Sequence, residues 1–224
     1  MSKIKICGIR RKEDVGYVNK YMPEFIGFIF APSKRRVSYE EAFELGKALN
    51  PGIKKVGVFV NESLDNVIEA VKKAGLDIVQ IHGDEGPEYI EELKEKLKTL
   101  SNEGNIEREQ AAQKGRVEIW KVFRVKDETS LSQMANFKAD AFILDTFVEG
   151  SYGGVGKTFD WELAVNAKKY GKIILAGGLT SNNLIKARNI VSPLALDVSS
   201  GVETDGFKDE KKICDFISMA RSYE

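Results

Sequence analysis

The sequence predicts an α/β protein, a single (β/α)8 barrel of the TIM type spanning residues 1–224, and three observations carry that prediction. Short β-branched runs alternate with longer amphipathic runs from one end of the chain to the other, the pattern of βα units in a parallel sheet. Eight short runs can be picked out. The length, 224 residues, suits eight strand–helix units, which as one domain occupy roughly 200–250 residues.

The strand candidates are, in order, Lys3–Cys7, Phe25–Phe30, Lys55–Val60, Asp77–His82, Glu118–Phe123, Ala141–Asp145, Lys172–Ala176 and Leu194–Val198. Each is apolar and short enough to be a strand buried on both faces. The segments between them read as helices. In Ser63–Ala74, Leu64, Val67, Ile68 and Val71 recur at helical spacing, while Glu62, Asp65 and Glu69 stay polar. Ser63 is placed to cap the first turn, and Gly75 suits a left-handed stop. The final segment, Lys208–Tyr223, sets Ile213, Phe216, Ile217 and Ala220 on one stripe and would close the ring. Around residues 91–117 the rhythm is broken by a charged stretch, EELKEKLKTLSNEGNIEREQAAQKGR, which reads as an extended helical insertion with a solvated face. No Pro- or Ser-rich linker divides the chain.

Lysine plus arginine equals aspartate plus glutamate, 34 each, so there is no global basic field for a nucleic acid. No apolar run approaches the ~20 residues of a membrane span, and the N-terminus lacks a signal-peptide core. A cytoplasmic protein without membrane contact is expected. Cys7 and Cys214 are too few for a disulfide framework and lack zinc-binding spacing. The outer helix faces leave a monomer or a homodimer equally open.

In such a barrel the active site forms at the carboxyl ends of the strands, so polar residues ending each apolar run are the ones to weigh. Cys7 ends the first strand and Asp145 the sixth; Gly177 and Gly178 follow the seventh; Asp197, Ser199, Ser200 and Gly201 lie at or after the eighth. The glycine pair and the Ser-Ser-Gly can offer backbone N–H groups and hydroxyls to a phosphate. Either motif alone would read as a turn before a helix; together, in the last two units, they favour a phosphorylated ligand. Cys7 could be a buried apolar thiol, the common fate of an intracellular cysteine. Pointing into the mouth, with a thiol pKa of about 8.5 lowered by nearby donors or cations, it could instead serve as a general base. Lys5 shares its face and needs a buried acceptor that sequence does not name. Asp145 could cap a turn, or stay protonated in a partly desolvated site and act as a general acid.

Asp145 leads into FVEGSYGGVGKTFDW, where Gly154 is a candidate substrate contact. GSYGGVGKT ends like a nucleotide P-loop but has one residue too many for that motif and sits in a long loop, so that reading fails. Gln80 and His82 share a face near the end of the fourth strand. A lone histidine is more often a hydrogen-bonding or substrate-contacting residue than a metal ligand, and no metal site is expected. Arg35 and Arg36, after the second strand, are either solvated loop charges or meet an anionic group.

Taken in order, KICGIR, GFIFAPSKRRVS, VGVFVNES, VQIHGDE, LDTFVEGSYGGVGKTFDW, LAGGLTSNN and DVSSGVETDGFKD resemble the phosphoribosylanthranilate isomerases over nearly the whole chain. The resemblance implies a (β/α)8 barrel that converts N-(5-phosphoribosyl)anthranilate to 1-(2-carboxyphenylamino)-1-deoxyribulose 5-phosphate in tryptophan biosynthesis, with no metal or organic cofactor. It maps the general base to Cys7 and the general acid to Asp145. It also maps a functional arginine in a Ser-x-Arg-x-Val pattern to Arg35, one position from Arg36. Two other readings stand beside it. The histidine-pathway isomerase shares fold and chemistry but carries an aspartate where this chain has Cys7. A noncatalytic sugar-phosphate-binding barrel would not need both Cys7 and Asp145.

Overall fold

A computed structural model describes residues 2–102, 116–146 and 160–222 of the chain. Eight parallel strands close into a barrel in sequence order: β1 Lys3–Cys7, β2 Phe25–Ile29, β3 Lys54–Phe59, β4 Ile78–Ile81, β5 Glu118–Val125, β6 Ala141–Thr146, β7 Ile173–Leu175 and β8 Ala195–Val198. The eight expected strands are all present, their ends displaced by a residue or two. Helices α1 Lys12–Tyr21, α2 Tyr39–Lys47, α3 Leu64–Ala74, α4 Pro87–Asn102, α5 Thr129–Ser132, α6 Trp161–Ala167, α7 Leu184–Val191 and α8 Glu210–Arg221 follow the strands in turn. Of the charged stretch around 91–117, the first part belongs to α4, and residues 103–115 lie outside the described residues.

Strand alternation divides the apolar residues into two cores. Outward-facing Ile4, Ile6, Phe28, Val79 and Leu144 pack under the helix layer. Inward-facing Phe25, Val56, Ile78, Trp120, Ile143, Ile174 and Ala195 fill the lumen, where Phe25 and Trp120 meet edge to face at 5.0 Å. The lumen is therefore a packed floor, and what it supports lies above it, at the carboxyl ends of the strands.

Local sequence fixes where the helices begin and end. Ser63 Oγ accepts from Asn66 N–H at the start of α3, and Gly75 ends it with φ 61°. Ser38 and Glu41 form a reciprocal capping box on α2. Val67 and Val71 of α3 and Ile213, Phe216, Ile217 and Ala220 of α8 are buried against the barrel. Each such Val, Ile or Phe contributes about 1.5–3 kcal/mol by burial. Among the described residues no helix is long and apolar enough to cross a membrane.

One element was not expected. After β8 the chain forms a 3-10 turn, Ser200–Val202, and then a two-stranded hairpin, β9 Glu203–Thr204 against β10 Phe207–Lys208. Its turn residues Asp205 and Gly206 have φ 51° and 78°, the left-handed pair that an Asp-Gly dipeptide favours.

Candidate active site

Odd-numbered residues of β1 face the lumen, so Lys5 and Cys7 rise one above the other. Lys5 is fully buried, and its Nζ lies 2.7 Å from Asp197 Oδ2 on β8, whose Cα is its partner across the seam. This is the acceptor that Lys5 requires. Burial works to lower Lys5, but Asp197 and Cys7 outweigh it and hold the ammonium above its ordinary value. Burial, with help from Asp197, pushes the Cys7 thiol up against the opposing pull of Lys5 and Lys208. The cations expected to favour a thiolate are present, but desolvation outweighs them. The thiol occupies space that Gly27 leaves open on β2: a Cβ there would stand 2.7 Å from Cys7 Sγ.

Across the lumen, β4 brings up Gln80 and His82 and β6 brings up Asp145. Gln80 Nε2 lies 3.2 Å from His82 Nδ1. With Gln80 donating, the neutral ring carries its proton on Nε2, which faces Asp145 Oδ2 at 3.5 Å, a long contact. Asp145 Oδ1 accepts from Thr146 N–H at 2.8 Å. The side chain is 8% exposed, so it is shielded yet open to the space between the two sides.

That space is a cavity of about 350 Å³. Cys7, Arg35, Gln80, His82, Asp145, Gly177, Gly178, Asp197, Ser199, Ser200 and Gly201 all line it. Gly154 lies outside the described residues. Of the two adjacent arginines, Arg35 is buried and reaches the cavity, whereas Arg36 is exposed and pairs its backbone with Ile29. Among the described lining residues Arg35 is the one lysine or arginine.

On the β7–β8 side, Asn183 organises the loop by accepting from Thr180 N–H and donating to Gly178 O, both at 2.9 Å. Among the described residues, the N–H groups of Gly178, Ser200 and Gly201 donate to no backbone carbonyl outside regular elements, so they are available to an anion. Asp197, expected among the phosphate contacts, lines the same cavity, and its Oδ2 is the counter-ion of Lys5. Among the described residues its buried Oδ1 has no hydrogen-bond partner.

Two residues escaped the sequence reading. Glu203 of β9 takes Arg35 in a bidentate grip, and Lys208 of β10 reaches Glu203 Oε1 at 2.8 Å and Ser199 O at 3.0 Å. The Asp-Gly turn between them is the signal that could have revealed the hairpin. Among the described residues no group of three or more His, Cys, Asp and Glu side chains is placed to hold a metal ion.

The chain is similar to known proteins over nearly its whole length. The family model described as N-(5′-phosphoribosyl)anthranilate (PRA) isomerase matches residues 4–116 and 102–219. An N-(5′-phosphoribosyl)anthranilate isomerase of Acetivibrio thermocellus is 54% identical over 99% of this chain and 96% of its own. The crystal structure of phosphoribosyl anthranilate isomerase from Thermotoga maritima superposes with a TM-score of 0.82 at 33% identity, over 99% of this chain and 100% of that one. A structure of the same enzyme in complex with reduced 1-(o-carboxyphenylamino)-1-deoxyribulose 5-phosphate superposes with a TM-score of 0.80 at 31% identity, again over 99% and 100%. With a matching barrel and matches along nearly its whole length, the chain belongs to the N-(5′-phosphoribosyl)anthranilate isomerase family.

Proposed function

We propose that the chain carries its family's reaction, converting N-(5-phosphoribosyl)anthranilate to 1-(2-carboxyphenylamino)-1-deoxyribulose 5-phosphate in tryptophan biosynthesis, with Cys7 as general base and Asp145 as general acid. The observation that carries the assignment of roles is that a thiol and a carboxyl from β1 and β6 open onto one small cavity. Among the described residues the cavity is also lined by Arg35 and by the backbone donors of Gly178, Ser200 and Gly201, which suit the two anionic ends of the substrate.

In this reading Asp145 gives its proton to the furanose ring oxygen. The bond from that oxygen to C1 breaks as the anthranilate nitrogen supplies an electron pair, leaving a C1–nitrogen iminium. The Cys7 thiolate removes the proton on C2; the C–H electrons form the C1–C2 double bond, and the iminium electrons return to nitrogen. The enolamine then loses its enol proton and gains one at C1, giving the ketone. Nothing is oxidised overall, because hydrogen only moves from C2 and its hydroxyl to C1 and the ring oxygen. The phosphate is placed against Gly178, Ser200 and Gly201, with Gly177 and Ser199 beside them, and the ring carboxylate against Arg35. Gln80, His82 and Gly154 are assigned to substrate contact. The reaction uses a small phosphoribosyl molecule in the cytoplasm, by a monomer or a homodimer, and calls on no cofactor.

The test supplies phosphoribosylanthranilate made in situ and follows the loss of its anthranilate fluorescence. Wild type is expected to turn over, while Cys7→Ala and Asp145→Asn each fall by about 10²–10⁴-fold, the usual contribution of a general acid or base. An inactive wild type would return the choice to a histidine-pathway isomerase or a noncatalytic barrel. Full turnover by Cys7→Ala would remove the thiol from the mechanism while leaving the substrate in place.

A further inference from the structure

How Arg35 is held decides what it can grip. A guanidinium has five N–H donors in a rigid plane with two edges, each able to take a carboxylate. One edge is already occupied: Nε–H donates to Glu203 Oε1 and an Nη2–H to Glu203 Oε2, both at 2.7 Å. What remains is the end-on edge, formed by Nη1 and the second Nη2 hydrogen, on a residue that lines the cavity.

Glu203 does not line the cavity. Its side chain is 6% exposed, and Lys208 Nζ, itself buried, fixes the carboxylate from another direction at 2.8 Å. Lys208 is anchored in turn to Ser199 O, next to the backbone donors at the end of β8. Burial would raise the Glu203 carboxyl, but hydrogen bonds from Arg35 and the charge of Lys208 hold it down at about 2, so it stays anionic throughout the physiological range. The aliphatic stem of Arg35 is confined as well, since a Cβ on Gly8 would stand 2.6 Å from its Cδ. The fork is therefore set in place before any ligand arrives, by groups that are not among the cavity-lining residues.

We propose that Glu203 is a positioning residue that sets specificity for a carboxylate-bearing ligand: by filling one edge of the Arg35 guanidinium it aims the remaining end-on edge at the ring carboxylate. This rests on the substrate assigned above. A planar fork held in advance loses little freedom when its second carboxylate docks, and it gives a bidentate contact rather than a diffuse charge. It follows that the residue acts on one substituent of the ligand and not on the sugar phosphate.

Two stable inhibitors separate these contributions: the reduced product analogue, reduced 1-(o-carboxyphenylamino)-1-deoxyribulose 5-phosphate, and the same compound without the ring carboxylate. For the wild type the carboxylated compound should bind more tightly. In Glu203→Gln that advantage should shrink by about tenfold, while inhibition by the carboxylate-free compound stays within about twofold. Glu203→Asp keeps the charge opposite Lys208 but is too short to span both nitrogens, and it should show the same selective loss to a smaller degree. Circular dichroism identifies a variant that has not folded, and the other variant is then read by the same criterion. Equal weakening of both inhibitors, or no change in either, would overturn the proposal. Failure of the wild type to turn over phosphoribosylanthranilate would instead show that the substrate assignment is at fault.

Discussion

On the side of the mouth where β8 closes onto β1 and β2, Lys5, Arg35 and Lys208 each meet a carboxylate at 2.7–2.8 Å. Across the cavity, Gln80, His82 and Asp145 are joined by contacts of 3.2 and 3.5 Å, and among the described residues Gln80 Oε1 and His82 Nε2 have no hydrogen-bond partner. The cations of the seam side are committed to carboxylates before the ligand arrives, although Asp197 Oδ1 stays open; the polar groups of the β4–β6 side keep most of their hydrogen-bonding capacity in hand. A base must be aimed at one carbon–hydrogen bond, so a rigid charged bed beneath Cys7 fits that task. A proton donor has to follow an oxygen that moves away as the ring opens, and a loosely joined line of groups fits that one.

If this contrast is right, the two sides should fail differently. Lys5→Ala should give the largest loss of stability, about 3–5 kcal/mol by chemical denaturation, because it leaves Asp197 as a buried charge without a partner. The same change removes a cation that pulls the thiol down, so the rise of kcat/KM with pH should move to higher pH. His82→Ala should cost about 0.5–1.5 kcal/mol, the worth of ordinary hydrogen bonds, and leave the thiol limb of that profile where it was. If the two variants were equally destabilised, the distinction between a committed and an uncommitted side would be lost. The smallest effect concerns acid. Glu203 titrates near 2 in the folded protein, below its ordinary value of about 4.5. It therefore stabilises the fold above about pH 4.5 and loses that contribution as pH falls from there toward 2. Wild-type stability should decline more steeply than that of Glu203→Gln across this interval, as followed by unfolding at fixed pH. Parallel curves would show that the Arg35–Glu203 pair adds nothing to stability.

What the sequence could reveal follows the range of the interactions. Strand positions were legible to within a residue or two because alternating apolar runs and the caps Ser63 and Gly75 are local signals. Cys7, Asp145 and the glycines were legible as candidates because the barrel sends every strand end to one mouth. The partner of Lys5 was not, since Asp197 stands 192 positions away and only closure of the ring brings them together. The same closure gives Asp197 a pairing with Lys5 that its neighbours Ser199 and Ser200 do not suggest. Arg35 could not be separated from Arg36 because SKRRV is a loop with no periodicity to orient side chains. Glu203 was missed because its significance lies wholly in the arginine it holds, which belongs to a different part of the chain.

The seam between the first and last strands also orders events during synthesis. Asp197 follows Lys5 by 192 positions, which at about 5–20 residues per second is about 10–40 s of synthesis. Until then Lys5 lacks the Asp197 counter-ion and Arg35 the Glu203 carboxylate, so a nascent chain carries the proposed base without its setting. Competence for catalysis is thus expected to arrive in one late step with barrel closure, and a chain released before β8 should be inert however much of it has folded.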